Sequence, residues 1–368
     1  MSLWLDGVSR SYPSLDTDMT ADVAIVGGGI AGIATAYFLA ASGASVVVLE
    51  ARGIAEGASG RNAGFLLAGV AENFVAATRR YGEANALRIW RFTKRTHELV
   101  RSLVAEHGIE CELRWNGSDQ IAGDEDEWRE VEQSAVRLAK EGVSVVVDHA
   151  ERIATYTDDG EIHPVRWVRG LAAAAVKKGA RIHESTRVES VRAGRLRTAN
   201  ATVRVGAIVL CTNAYTQHLV RSRVEPVRGQ MLATAPAPHL FARPAYANRG
   251  YRYWRQTRDG RVLVGGWRDT AVAEEIGEEE RTTQRIQEQL DAFLHEHKIT
   301  APVTHRWAGI MGFSHDALPY IGRLTQGIYV CGGFTGHGMA FGPASAELVA
   351  LLVRGKDHAD AALFDPGR

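Results

Sequence analysis

Residues 21–50, ADVAIVGGGIAGIATAYFLAASGASVVVLE, restrict the fold more than any other stretch of the chain. An apolar run over residues 23–26 predicts a buried strand, and three glycines then turn the chain as Gly27-x-Gly29-x-x-Gly32. Beyond the turn, Ile30, Ile33, Ala34, Tyr37, Phe38 and Ala41 recur at helical spacing and predict a helix with one apolar face. Gly43 ends that helix, and residues 46–49 predict a second buried strand finishing in Glu50. The order has a chemical reason. Glycines let bare backbone approach a pyrophosphate, whose charge meets free amides and the positive end of a helix. A carboxylate at the tip of the second strand, about 20 residues on, accepts hydrogen bonds from a ribose diol. It also repels a 2′-phosphate, which disfavours NADP; the fingerprint by itself does not separate NAD from FAD.

The chain has 368 residues, enough for two domains, and its 43 basic side chains balance 43 acidic ones. That balance gives no basic stripe for a nucleic-acid partner and no polybasic surface for a membrane. Cys111, Cys211 and Cys331 lie far apart without metal-ligand spacing, so no metal is expected and buried free thiols are. The first residues, MSLWLDGVSRSYPSLD, lack the uninterrupted apolar core of a signal peptide, and no run reaches membrane-spanning length. A cytoplasmic protein is the expectation.

After Glu50 the run ARGIAEGASGRNAGFLLAG, with its glycines, Ser59 and Asn62, predicts a ligand-facing loop. Residues 71–107 read as mainly helical, residues 111–115 and 118–122 as strands, and 125–141 as a helix with an acidic start. His163-Pro164 opens an alanine-rich helix, with His163 structural rather than catalytic. Residues 203–212 form another buried strand ending in Thr212-Asn213-Ala214. From residue 224 the pattern alternates as in antiparallel strands, with an amphipathic helix over 274–297 among them. A final strand, 328–331, leads through GGFTGHGM into a C-terminal helix. The predicted fold is α/β, α+β overall. A Rossmann-type domain is built from 1–75, 145–222 and 306–368, and a substrate domain with an antiparallel sheet from 76–144 and 223–305.

The motifs SLWLDG, DVAIVGGGIAG, VVVLEA, GASGRNAGF, AIVLCTNAY, PVRGQM, DGRVLVGG, WAGIMGFSHDALPYIG and GGFTGHGM run nearly end to end in this order. In them the chain resembles the FAD-dependent amine and amino-acid oxidoreductases of the D-amino-acid oxidase, glycine oxidase and sarcosine oxidase type, nearest to the gamma-glutamylputrescine oxidoreductase branch. The resemblance implies FAD and oxidation of a carbon–nitrogen bond. It places Gly27, Gly29, Ile30, Ala31 and Gly32 at the pyrophosphate, and Glu50, Ala51 and Arg52 at the adenosine side. Ser59, Gly60, Arg61, Asn62, Ala63, Gly64 and Phe65 would pass the ribityl chain and isoalloxazine. Val188 would meet adenine through its backbone, and Thr212, Asn213 and Ala214 would form the second nucleotide-side turn. Gly309 would stand by the flavin, with Gly336, His337, Gly338 and Met339 near its pyrimidine edge.

Two departures from the family pattern bear on chemistry. Where amino-acid-specific relatives carry an arginine after Gly-Leu, this chain reads Gly309-Ile310-Met311-Gly312, which argues against a simple α-amino acid unless Arg252 or Arg255 replaces that cation. Where monomeric sarcosine oxidase carries a flavin-linking cysteine stands Gly309, so non-covalent FAD is implied; that enzyme's oxygen-activating lysine also has no counterpart between Lys178 and Lys298. Tyr251, Tyr253 and Trp254, helped by Met311 and Phe334, would wall the flavin face, and His337 between glycines is the strongest candidate for a substrate contact. The expected reaction passes hydride from the carbon beside a small amine or amino acid to flavin, with oxygen as acceptor and peroxide released. The alternatives are a dehydrogenase or subunit passing electrons to a partner, and a flavoprotein acting in RNA modification.

Overall fold

The computed structural model describes residues 1–368. Strand Met19–Val26 sits at the centre of the first sheet, parallel to Val46–Leu49 on one side and Thr202–Leu210 on the other. Arg181–His183 and Ile328–Gly332 extend it in parallel, and Tyr320–Thr325 closes one edge antiparallel. Parallel strands of this kind are covered on both faces, which is why they read as unbroken Val/Ile/Leu runs.

Helix α1 (Ile30–Ala41) packs between the helices Pro164–Lys177 and Gly338–Val353. It departs from the sequence expectation. All its residues but Phe38 and Ala41 are buried, so there is no single apolar face. Its small residues explain this: Gly32, Ala34, Ala36 and Ala40 let neighbours close in, and a helix enclosed on all sides needs no polar stripe. The polar N-terminal residues are anchored by Trp4 and Leu5, both buried, with the Trp4 indole N–H donating to the Asn62 carbonyl at 2.7 Å.

The second sheet runs Val303–Phe313, Glu225–Pro236, Arg261–Gly266, Arg252–Gln256, Ala245–Ala247, Ser118–Ile121, Ile153–Tyr156 and Val145–Asp148. Every pair is antiparallel except Ala245–Ala247 with Ser118–Ile121. Residues 145–156 and 306–313, grouped by sequence with the nucleotide domain, therefore hydrogen-bond into this sheet. One face meets the helix Gln284–Glu296 through Leu232, Trp254, Val262 and Val264; the other sends Met231, Ala233 and Leu263 into the main core. That period of two sorts the side chains of the site.

Two local expectations fail for identifiable reasons. The helix expected over 274–297 begins only at Gln284. Before it, Glu275 is pulled under the chain to neutralise the buried Arg228, with Nη2–Oε1 and Nε–Oε2 both at 2.9 Å, and a helix could not place it there. Residues 111–115 form no strand beyond a single bridge between Arg114 and Glu161.

The halves are tied by Arg255, 1% exposed, whose Nε lies 3.0 Å from the Glu161 carboxylate in an ion contact rather than an aligned hydrogen bond. Its Nη1 donates to the carbonyls of Ala63, Gly64 and Ile162 at 3.1, 3.2 and 3.0 Å. Removing one member of a buried pair costs about 3–5 kcal/mol where the other charge is left alone, and less here because Arg114 also meets the Glu161 carboxylate. Arg255→Met is expected to lower the urea midpoint accordingly, and adding Glu161→Leu should recover part of the loss; a midpoint unchanged in the single variant would contradict this assignment.

Candidate functional site

The glycine turn and the first sheet open onto a cavity of about 1080 Å³ between the two sheets. Gly27, at φ +112°, donates its amide to the Leu49 carbonyl at 2.9 Å, and a Cβ there would lie 2.7 Å from the Cys211 carbonyl oxygen. The Glu50 carboxylate closes the turn, accepting from the Gly28 amide at 2.6 Å and the Arg52 amide at 2.7 Å. Burial pushes the Glu50 carboxyl above the usual range, while those two amides and the Arg52 guanidinium pull it back. No residue caps the start of α1 from its N-cap; Ser59 Oγ, arriving from the loop, takes the Ile30 amide at 2.9 Å. The remaining first-turn amides face the cavity as orphan donors.

A second helix points into the same space. The helix Gly338–Val353 starts at His337, again with no side-chain cap. Asn213, at φ +48°, accepts from the Gly333 amide at 2.8 Å and so fastens the Thr212–Ala214 turn to the chain leading into this helix. His337 stacks on Tyr246 with ring centroids 6.0 Å apart and planes 18° apart, and its buried Nδ1 has no partner within the protein. Burial lowers its pKa to about 4, against the opposing hydrogen bond with the Thr335 backbone, so the ring is neutral near pH 7. Tyr246 and Tyr253 face each other across the sheet at 5.7 Å, and the Phe65 ring completes the wall at 5.4 Å from Tyr246. Burial pushes the Tyr253 hydroxyl up to about 12, with Arg268 pulling the other way.

The structure thus brings most of the sequence candidates to one surface. Gly27, Gly29, Ile30, Ala31, Glu50, Ala51, Arg52, Ser59, Arg61, Asn62, Ala63 and Phe65 line the cavity, as do Val188, Thr212, Asn213, Ala214, Gly309 and Gly336 to Met339. Gly32, Gly60 and Gly64 stand one layer behind. A Cβ on them would lie 1.9 Å from the Gly27 oxygen, 2.2 Å from the Ala55 oxygen and 2.3 Å from the Ile162 oxygen. They let the wall close rather than form it. Of the substrate-side candidates, Tyr251, Tyr253, Met311, Phe334 and His337 line the cavity.

Trp254 and Arg252 do not, and this corrects the sequence reading. Alternation along Arg252–Gln256 sends Trp254 to the opposite face, against Phe293 at 4.9 Å, and Arg252 to the same side, 5.4 Å from the Trp267 ring. Arg255 shares the Tyr253 face but is consumed by the carbonyls of Ala63, Gly64 and Ile162 and by Glu161. Three residues were missed. Tyr246 was legible in principle as the cross-strand partner of Tyr253. Glu280 bridges Arg52 at 2.7 Å and Arg61 at 2.9 Å from a segment read as helix. Arg268 lines the cavity from a turn that carries no sequence signal.

Comparison with known proteins fits this geometry. The model of a family described as FAD dependent oxidoreductase (DAO) matches residues 22–352. Gamma-glutamylputrescine oxidoreductase of Escherichia coli (strain K12) is 27% identical over 381 residues, covering 96% of this chain and 87% of that protein. Glycine oxidase from Geobacillus kaustophilus superposes with a TM-score of 0.80 at 24% identity, covering 95% of this chain and 99% of that one. L-proline dehydrogenase from P. horikoshii gives the same TM-score at 23% identity, covering 95% and 97%. At such identities the superpositions speak for the fold.

Two outcomes follow from the electrostatics. Losing a charged acceptor costs about 1.5–3 kcal/mol, so Glu50→Ala should weaken adenine-dinucleotide binding roughly 10- to 100-fold in a fluorescence titration of apoprotein with FAD. For His337, the folded pKa of about 4 lies below the unfolded 6.5, so the unfolded chain binds the extra proton between those values. The stability from its neutral ring is whole above pH 6.5 and falls away as pH drops toward 4. Urea midpoints of apoprotein at pH 7.5, 6 and 5 should therefore fall less steeply in His337→Gln than in the parent; parallel curves would refute a buried neutral ring.

Proposed function

We propose, for a chain that belongs to the DAO family of FAD-dependent oxidoreductases, that it oxidises the carbon–nitrogen bond of a small amine or amino acid. The carbon beside the nitrogen would give a hydride to bound FAD, water would hydrolyse the imine to an aldehyde or keto product and ammonia or a smaller amine, and oxygen would take the two electrons and two protons as hydrogen peroxide. The observation that carries this reading is continuity: a single cavity runs from Glu50 and the α1 terminus to the wall of Tyr246, Tyr253 and His337.

The residues fit FAD. A Cβ on Gly29 would lie 2.9 Å from Ser59 Oγ, so the cradle is bare backbone, and two uncapped helix ends and one buried carboxylate face it. Gly27, Gly29, Ile30 and Ala31 would hold the pyrophosphate, Glu50 the ribose, Val188 the adenine, and Gly336, His337, Gly338 and Met339 the flavin edge. FAD, when bound, supplies the two-electron acceptor. Tyr246, Tyr253, Phe65 and Met311 keep water from the reacting carbon, which preserves an imine until release. His337, neutral and with Nδ1 unpartnered, offers the amine a hydrogen-bonding nitrogen without adding positive charge. The positive end of the helix Gly338–Val353 favours negative charge beside it.

The relatives support both acceptor readings. One fold match is named an oxidase and another a dehydrogenase, and no lysine lines this cavity, so electron transfer to a partner stands as the second reading. Anaerobic titration with a panel of amines and amino acids tests the first step: at least one should bleach the yellow protein, and a flavin that none reduces would remove amine oxidation. Admitting air to the bleached protein decides the acceptor. Recolouring within turnover time with stoichiometric peroxide means oxygen; a protein that stays bleached until a dye is added means a partner.

A further inference from the structure

At the aromatic end of the cavity one cation has no counter-charge. Arg52 and Arg61 share Glu280, at 2.7 and 2.9 Å. Arg79 and Arg80 pair with Glu130 and Glu72, and Arg249 stands 3.7 Å from Asp124. Arg187 is exposed beside Val188, at the other end. Arg268, a residue of intermediate exposure, alone lies against the tyrosine wall with neither an ion pair nor a hydrogen bond from its guanidinium. Its Cζ lies over two rings, 5.0 Å from the Tyr251 centroid and 4.9 Å from that of Phe313.

The backbone is built to put it there. Strand Arg261–Gly266 ends in Gly266 at φ +115°, where a Cβ would lie 2.0 Å from the Tyr251 oxygen. Trp267 follows in the left-handed region at φ +59°, donates its amide to the Tyr251 carbonyl at 2.7 Å, and buries its ring on the far side of the sheet beside Phe293. With Trp267 anchored away from the cavity, the next side chain turns into it. A cation beside rings and without a carboxylate partner keeps its N–H donors free for an incoming acceptor. The anion it awaits does not come from the protein: Glu50, Glu72 and Glu130 are the acidic residues of the lining, and each is already engaged.

We propose that Arg268 seats a carboxylate of the substrate, so that the substrate is an amine bearing a carboxylate rather than a bare polyamine. The proposal rests on the amine-oxidation reading above and narrows its substrate class. A guanidinium grips a carboxylate through two parallel N–H···O bonds, which fixes the angle of the molecule as well as its position. The tyrosine wall then covers the carbon between carboxylate and amine, or a longer chain if the carboxylate is remote.

Binding of benzoate and of benzamide, its uncharged counterpart, to the FAD-loaded protein tests this without turnover, read as a shift in flavin absorption. The parent should bind benzoate roughly 10- to 100-fold more tightly than benzamide, the preference a charge-assisted contact confers. Arg268→Gln should abolish that preference at unchanged FAD content, and Arg268→Lys should keep part of it. A parent without the preference, or a preference that survives in R268Q, overturns the proposal. Reduction by an amine whose rate R268Q leaves unaltered likewise overturns it while upholding amine oxidation. A benzoate preference lost in R268Q, with no amine reducing the flavin, keeps the anion seat and removes the oxidation reading. Amines with the carboxylate on the reacting carbon, set against amines carrying it several bonds away, separate the two substrate types.

Discussion

The guanidinium of Arg255 is the constraint on which the geometry of the cavity rests. It leaves the second sheet, crosses to the loop carrying Asn62–Phe65, and is held there by three carbonyl oxygens and the buried Glu161. Arg114 approaches the same carboxylate from its other side. Charges so deeply placed tolerate little displacement, because any opening leaves them unsatisfied in a low dielectric. The loop beside the helix terminus and the strand bearing Tyr253 are thereby locked in register. A site built between two domains would otherwise be free to hinge; here a polar contact, not the apolar core, sets the spacing.

Around that fixed frame the cavity divides by charge. At one end stand the glycine turn, the start of α1 and the Glu50 carboxylate, an arrangement for a molecule carrying both phosphates and hydroxyls. At the other end stand neutral His337, three tyrosines and the unpaired Arg268, an arrangement for a small molecule with one anionic group. The buried His337 Nδ1, left without a partner in the protein, costs stability there. The strap of residues 274–283, holding Arg228 with Glu275 and Arg52 and Arg61 with Glu280, closes the nucleotide end from the second domain.

How much of this was legible beforehand depended on the range of the interaction. The strand–glycine–helix–strand–acid order is local, each part within a few residues of the next, and the elements fall where it put them, although the helix is enclosed on all sides rather than on one face. So did the structural role of His163, whose Nδ1 accepts the Arg166 amide at 3.3 Å as an N-cap. The failures all involve charge or facing. Residues 274–283 have helical composition, yet the buried Arg228 outweighed local propensity. Trp254 was placed over the cavity because aromatic residues suit a wall, but a strand shows adjacent residues to opposite sides, and Tyr253 took that position.

The sequence by itself determined the nucleotide end, since glycine conformations, a helix start and a strand-tip carboxylate are consequences of neighbouring residues and backbone geometry. Only the tertiary structure decided the substrate end. Arg255 is spent on carbonyls 93 to 192 positions away, while Arg268 is left open, and both outcomes depend on the face each strand presents. Electrostatic satisfaction is a property of the closed fold; no window of sequence contains it.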